Sequence, residues 1–283
     1  MSDAQQQRRF FAEEIEALCN LQSAALVDGL ARLPRERFLP PGPWVIRSES
    51  DFGGPSRQTC DADVRRVYHN VAVAIDPGRQ LFNGAPSLLA LCIDRLELRP
   101  GNRVLHVGCG LGYYTALMAH CVGSTGRVMA VEVDESLAAG ARDRLASFEH
   151  VDVRTGDGAA PPHESFDAIL VNAGVTHPHD SWLDALGEGG RLILPLTATF
   201  PAMGPIGKGP MLLVTRHVDD FNARLITVVA IYSAVGLRDN ALNDQLGQAL
   251  MRGQFQMLKR LRRDAHDSTG ACWFHTDRFC FSA

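Results

Sequence analysis

The chain has 283 residues, 46% of them hydrophobic and 21% charged, with a formal net charge of −4. That length carries one large domain or two small ones with ample apolar content for a core, and the near-neutral charge gives no electrostatic case for nucleic acid or a membrane surface as partner. Seven cysteines (Cys19, Cys60, Cys92, Cys109, Cys121, Cys272 and Cys280), scattered and without a Cys-x-x-Cys pair, point to free thiols in a reducing compartment and to no metal site.

The opening segment, MSDAQQQRRFFAEEIEAL, lacks the apolar core of a signal peptide, and no run in the chain reaches membrane-spanning length; a cytoplasmic location is expected. Phe11, Ile15, Leu18, Leu21, Ala25, Leu26 and Leu30 recur at helical spacing and predict one helix over 5–33. Pro34, then Pro40-Pro41-Gly42-Pro43, ends it, and 44–68 is polar and without pattern. Val71–Ile75 reads as a short strand. A helix follows from Gly84-Ala85-Pro86-Ser87 to Leu96, with Pro86 or Ser87 in its first turn. Strands are then predicted at Val104–Val107, Arg127–Val133, Val151–Thr155, Phe166–Asn172 and Arg191–Pro195, alternating with helices at Tyr113–Cys121, Glu135–Ala146 and Trp182–Leu186. Alternation of that kind builds a parallel sheet flanked by helices. Met211–His217 and Arg224–Ala230 read as a hairpin turning at Asp219-Asp220-Phe221-Asn222. Asp239–Leu261 reads as a helix, with Lys259-Arg260-x-Arg262-Arg263 on its solvated face, and the remainder as a tail carrying Trp273 and Phe274.

The most informative stretch is Val104–Thr115, VLHVGCGLGYYT. An apolar strand breaks into Gly108-x-Gly110-x-Gly112, and a helix follows whose first amides point at whatever occupies the turn. A dinucleotide fingerprint would space its glycines G-x-G-x-x-G to meet a pyrophosphate. Here the third glycine comes one residue early and no basic residue waits for phosphate, which favours S-adenosylmethionine over NAD. Glu132, closing the next strand, is placed to accept from both ribose hydroxyls of either cofactor.

The order of these pieces resembles the class I S-adenosylmethionine-dependent methyltransferases and, within them, is similar to the protein-L-isoaspartate O-methyltransferase family. The resemblance rests on Leu33–Pro40 (LPRERFLP), Gly78–Ala90, Val104–Thr115, Gly156-Asp157-Gly158, Phe166–Ala173 (FDAILVNA) and Leu186–Pro195 (LGEGGRLILP). It implies an α/β Rossmann-like fold with a mostly parallel seven-stranded sheet and helices on both faces. An N-terminal helical cap and substrate-side loop would span 1–98, the cofactor core 99–236, and a C-terminal helix and tail 237–283. It implies S-adenosyl-L-methionine as cofactor, with S-adenosyl-L-homocysteine as product. Gly108, Gly110 and Gly112 would form the floor under the methionine half, with Cys109 and Tyr113 also against the cofactor, while Glu132 would hold the ribose and Val133 the adenine; Tyr113, with Tyr114, Phe82 and Trp182, would wall an aromatic pocket or lie in plain core. Asp157, with Gly158, would accept from the adenine amino group or simply stabilise a turn. Asn172 would stand near the transferring methyl group.

Two departures qualify the acceptor. His106 stands where the family carries an acid, and is expected either as a cofactor ligand or as a buried structural residue. In the loop Gln80–Pro86 no hydroxyl stands where the family places a serine that holds the substrate carboxylate; Asn83 offers one donor. A neutral acceptor would need a base near neutral pH, and Tyr68, His69, Asn83 and His177 are the candidate catalytic residues, with His179 behind them. The expected function is therefore methyl transfer to a small-molecule or peptide-derived acceptor, including an aromatic or indole natural product. Isoaspartyl repair is the alternative, and a non-catalytic cofactor-binding regulator a third reading. A homodimer is compatible with the sequence.

Overall fold

A computed structural model describes residues 3–48, 54–161, 164–200, 204–218 and 220–283. In chain order the elements are α1 (Asp3–Cys19), α2 (Ala24–Arg32), β1 (Val45–Ser48), β2 (Arg57–Gln58), β3 (Val71–Asp76), β4 (Leu81–Phe82), α3 (Pro86–Arg95), β5 (Arg103–Val107), α4 (Tyr113–Val122), β6 (Arg127–Glu132), α5 (Glu135–Leu145), β7 (Val151–Thr155), β8 (Phe166–Val171), α6 (Asp180–Ala185), β9 (Leu186–Pro195), β10 (Ala198–Thr199), β11 (Ile206–His217), β12 (Asp220–Tyr232), α7 (Asn240–Arg252), β13 (Arg260–Arg262), β14 (Cys272–His275) and β15 (Cys280–Ser282). Chain packing divides them into two units, residues 1–102 with 109–155, and residues 103–108 with 156–283. The cut falls inside the glycine loop, between Gly108 and Cys109.

In the first unit the predicted single N-terminal helix is two. Asn20 takes a left-handed φ of +48°, and the backbone amides of Gln22 and Ser23 both donate to Asp94 Oδ1, at 2.8 and 2.9 Å. Ser23 then caps α2 by accepting from Leu26 N at 3.2 Å. The break is a tertiary effect that helical spacing alone does not show. Gly29 lets α2 lie on α4, since a Cβ there would meet His120 and Leu117 at 3.1 and 3.2 Å. The patternless 44–68 segment contributes β1 and β2 to a small antiparallel sheet ordered β2-β1-β3-β4. Leu39, Trp44, Ile46, Val67 and Val73 form its core. β6 and β7 pair in parallel, Val128 opposite Val151 and Glu132 opposite Thr155.

The second unit holds β5, β8 and β9 in parallel, continued by antiparallel strands in the order β9-β11-β12-β13-β15-β14. Trp182 is fully buried here, its Nε1 donating to Gly158 O at 2.7 Å. The predicted hairpin exists but is longer than expected, its two strands paired from Ile206↔Tyr232 to His217↔Asp220. Asp219 of the expected turn lies outside the described residues.

The C-terminal reading needs correction. α7 stops at Arg252, where Gly253 takes φ +70°, and Arg260–Arg262 is a strand paired with both β12 and β15. The basic cluster therefore sits on a sheet and not on a helix face. The supposed tail is β14 and β15, with Trp273 and Phe274 buried. In the second unit the sheet thus continues beyond the antiparallel hairpin through β13, β15 and β14, strands that the sequence reading did not expect.

Candidate active site

β6 ends on Glu132, 8% exposed, whose carboxylate closes the glycine loop of the first unit. Its Oε2 accepts from Gly110 N at 2.8 Å and its Oε1 from Asp134 N at 3.2 Å. Each carboxylate oxygen has two lone pairs, so each keeps capacity for a further donor such as a ribose hydroxyl. Val133, next along, is 49% exposed, an unusual position for a valine at a strand end. Asp134 caps α5, and the Ser136 hydroxyl, the Leu137 amide and Arg79 hold its carboxyl well below the usual range. Arg79 Nη1 sits 2.5 Å from Asp134 Oδ2.

The loop glycines are required by conformation. Gly110 and Gly112 take φ of +55° and +93°. A Cβ on Gly112 would lie 2.7 Å from Leu145 Cδ1, so α4 starts tight against α5. Cys109 donates its N–H to Val131 O at 3.3 Å and is buried; burial pushes its thiol up, so it stays protonated. Tyr113 is packed against Phe38 and Tyr114, with ring centroids 5.7 and 5.3 Å away. It is buried in this unit, the plain-core position that the sequence left open for it.

In the second unit Gly108 takes φ +81°, and a Cβ would meet Asn172 O at 3.4 Å. Asn172 Nδ2 in turn approaches Gly108 O at 3.4 Å. His106 lies in β5 with no exposure, and burial pushes its imidazole down to about 3. Its complete burial within β5 favours the structural reading over a ligand role. Asp157 is exposed and accepts from Ala159 N at 2.8 Å, the turn-stabilising role of an Asx motif. A Cβ on Gly158 would collide with Val107.

The candidate bases fare unequally. Thr176 Oγ1 accepts from Asp239 N at 2.9 Å and lies 3.0 Å from His177 Nδ1. Burial, then His179, pushes His177 down to about 4. A weakly basic, hydroxyl-bound imidazole is a poor proton acceptor near neutral pH. His179 Nε2 is bonded to Leu237 O at 3.2 Å, and its ring packs 4.6 Å from Trp182. These contacts favour a structural role for both histidines over a catalytic one.

The Tyr68-His69-Asn70 segment is better built for a task. Arg35, fully buried, donates to the carbonyls of Val67, His69 and Val71 at 2.6, 3.1 and 2.7 Å. His69 is left exposed. The Tyr68 hydroxyl donates to Glu36, and burial together with that carboxylate pushes the phenol up. Asn70 Oδ1 accepts from Ser87 N at 2.9 Å, at the start of α3. Asn83 Oδ1 accepts from Val73 N at 3.0 Å, whereas Asn83 Nδ2 is buried with no partner among the described residues. Arg35 and Glu36 were missed as site residues in the sequence reading, although both stand in the LPRERFLP segment; the Pro-Arg-Glu run was the available signal.

The profile of the "Protein-L-isoaspartate(D-aspartate) O-methyltransferase (PCMT)" family matches residues 59–204. This chain belongs to that family. A protein-L-isoaspartate O-methyltransferase of Methylorubrum populi is 34% identical over 220 residues, covering 77% of this chain and 88% of the relative. One from Methanopyrus kandleri is 31% identical, covering 67% and 76%. A solved structure titled protein-L-isoaspartate O-methyltransferase superposes with TM-score 0.65 at 20% identity, over 97% of this chain and 87% of that one. A Plasmodium falciparum structure of a putative family member in complex with S-adenosyl-L-homocysteine has TM-score 0.59 at 17% identity, covering 80% and 97%. The fold is accordingly the Rossmann-like class I methyltransferase fold, and the PCMT family is one of S-adenosylmethionine-dependent enzymes. The reading as a non-catalytic regulator is set aside. No helix among the described residues is long and apolar enough to cross a membrane.

Proposed function

We propose that the chain is an S-adenosylmethionine-dependent methyltransferase whose acceptor is the carboxylate of an isoaspartyl residue in a peptide. The names of the relatives support this acceptor over the natural-product reading, which gains nothing from them. The observation that carries it is the buried amide of Asn83, whose oxygen is spent on Val73 N and whose Nδ2 has no partner. A buried donor left unsatisfied costs about 1–3 kcal/mol, and an incoming carboxylate removes that cost.

S-adenosylmethionine supplies a methyl group already activated on a sulfonium. Glu132 accepts from the ribose hydroxyls while its bonds to Gly110 and Asp134 keep it from turning away. Val133 gives adenine an apolar surface. Gly110 and Gly112 present backbone without side chains. A carboxylate nucleophile needs no base, so the task of the chain is to hold it in line, and Asn83 is the donor that does so. His69, exposed above the Arg35 clamp, binds the flanking peptide and moves no proton in this reaction.

A second reading is favoured by one observation: the loop before α3 carries no hydroxyl, so that loop offers a carboxylate Asn83 alone as a buried side-chain donor. An aromatic, peptide-derived acceptor would then use the Tyr68–Glu36 pair as its polar anchor. One experiment addresses both. Methyl transfer from labelled cofactor is measured with an isoaspartyl peptide and with a tryptophan-containing cyclic dipeptide, for the native chain and Asn83→Asp. The substitution keeps the acceptor for Val73 N and removes the donor. Base-labile methyl ester on the isoaspartyl peptide, reduced more than about tenfold in Asn83→Asp with unchanged melting, is the expected result. Base-stable methylation of the dipeptide alone would replace the first reading with the second.

A further inference from the structure

Four side chains near the C-terminus, none of them assigned a role above, converge in the second unit. His266, Cys272, His275 and Cys280 each offer one ligand atom, and these atoms lie within 4.8 Å of one another. The sequence reading missed the cluster because its spacing, His-x5-Cys-x2-His-x4-Cys, contains no paired cysteines. The sheet supplies the proximity. His275 and Cys280 are directly opposite on the antiparallel pair β14–β15, where facing Cβ atoms stand about 5 Å apart. Cys272 opens β14, and the preceding loop brings His266 Nε2 to 3.8 Å from Cys272 Sγ.

The surroundings are those of ligands. His266 Nδ1 lies 2.8 Å from Asp264 O, which fixes the ring as a donor there and leaves Nε2 as the unprotonated nitrogen facing the cysteine. A carbonyl or carboxylate accepting from the other ring nitrogen in this way accompanies most metal-bound histidines. His275 Nδ1 is buried with no partner among the described residues, and the two imidazoles stand 4.8 Å apart, edge to face. Thr269 N donates to Cys272 Sγ at 3.4 Å, a bond that favours a thiolate. Cys280 is fully buried.

We propose that His266, Cys272, His275 and Cys280 form a structural zinc site that staples β14, β15 and the loop before them. Two nitrogens and two sulfurs are a common tetrahedral set for zinc, with bonds of about 2.0–2.1 and 2.3 Å, so the ligand atoms need draw together by only about an ångström. Binding deprotonates both thiols, releases two protons and leaves the centre neutral, which suits its partial burial. Four protein ligands leave no open position, so the site is not catalytic. The segment it staples is also tied to α6. Arg263, just before the cluster, and Arg278, between His275 and Cys280, both bind Asp180 at the start of α6, and Arg263 binds Asp184 at 2.6 Å.

The test uses the full chain, untagged and purified under reducing conditions. About one zinc per chain is expected by elemental mass spectrometry, and Co2+ added to chelator-stripped protein should give thiolate charge-transfer and tetrahedral d–d bands. Cys272→Ser should weaken Co2+ binding more than about a hundredfold. The stripped native chain, titrated with Co2+ directly, guards against a variant that fails to fold. A stripped chain that develops no charge-transfer band overturns the proposal, as does a Cys272–Cys280 disulfide in freshly purified protein.

Discussion

Two backbone amides hold the Glu132 carboxylate at the end of β6, and its negative charge is what a ribose diol would meet. Glu132→Gln keeps the shape and removes the charge. It is expected to weaken S-adenosylhomocysteine binding by about 1.5–3 kcal/mol, the range for hydrogen bonds to charged groups; calorimetry that finds an unchanged Kd contradicts the assignment. His106 and His177 make a different prediction. Burial depresses both in the folded chain, to about 3 and about 4, whereas the unfolded chain protonates near pH 6.5. Their neutral, buried form is therefore compatible with full stability above pH 6.5. As pH falls from there toward 4, the unfolded state gains protons that the native state refuses, and stability drops by up to about 1.4 kcal/mol per pH unit for each histidine. Urea midpoints between pH 7 and 4.5 should fall more steeply for the native chain than for His177→Gln. Parallel slopes would count against the burial argument. At this scale the sequence told which residue types were available but not their duties: His177 looked like a base until Thr176 was seen beside its Nδ1.

The elements from β5 to β9 were readable because apolar runs of strand length alternate with helices, and glycine or proline marks the joints. Gly112 shows how closely the joint is built. Gly112→Ala places a methyl against Leu145 at a positive φ, and about 2–4 kcal/mol of destabilisation is expected from strain and overpacking together. Chemical denaturation checks this, and a loss below the measurement error would mean α5 shifts freely. The elements that were misread share one cause. The break between α1 and α2 depends on Asp94, 72 residues from Gln22, and β13 exists because β12 and β15 flank it. In both places local spacing favoured a helix, and partners distant in sequence overrode it.

For the molecule as a whole, fold class, family and cofactor were legible from six ordered motifs, while the C-terminal strands were not, because they lie outside those motifs. These strands complete a sheet that would otherwise end on β12. Deleting 260–283 removes the partners of Phe221 and Asn222 together with the buried Leu261, Trp273 and Phe281. The shortened chain is expected to expose an apolar edge and aggregate. Light scattering of the purified fragment checks this; a stable monomer with native melting would show the strands to be dispensable.

The assignment of Arg103–Gly108 to the second unit has a consequence for biosynthesis. Arg103 N is bonded to Asp167, 64 residues downstream, and Val104–Val107 pair with Ala168–Val171. At about 5–20 residues per second, a ribosome needs roughly 3–13 s to deliver the partner strand. Throughout that interval the edge of Val104–Val107 that pairs with Ala168–Val171 has no partner, so the parallel strands of the second unit can close only once Val171 has been made.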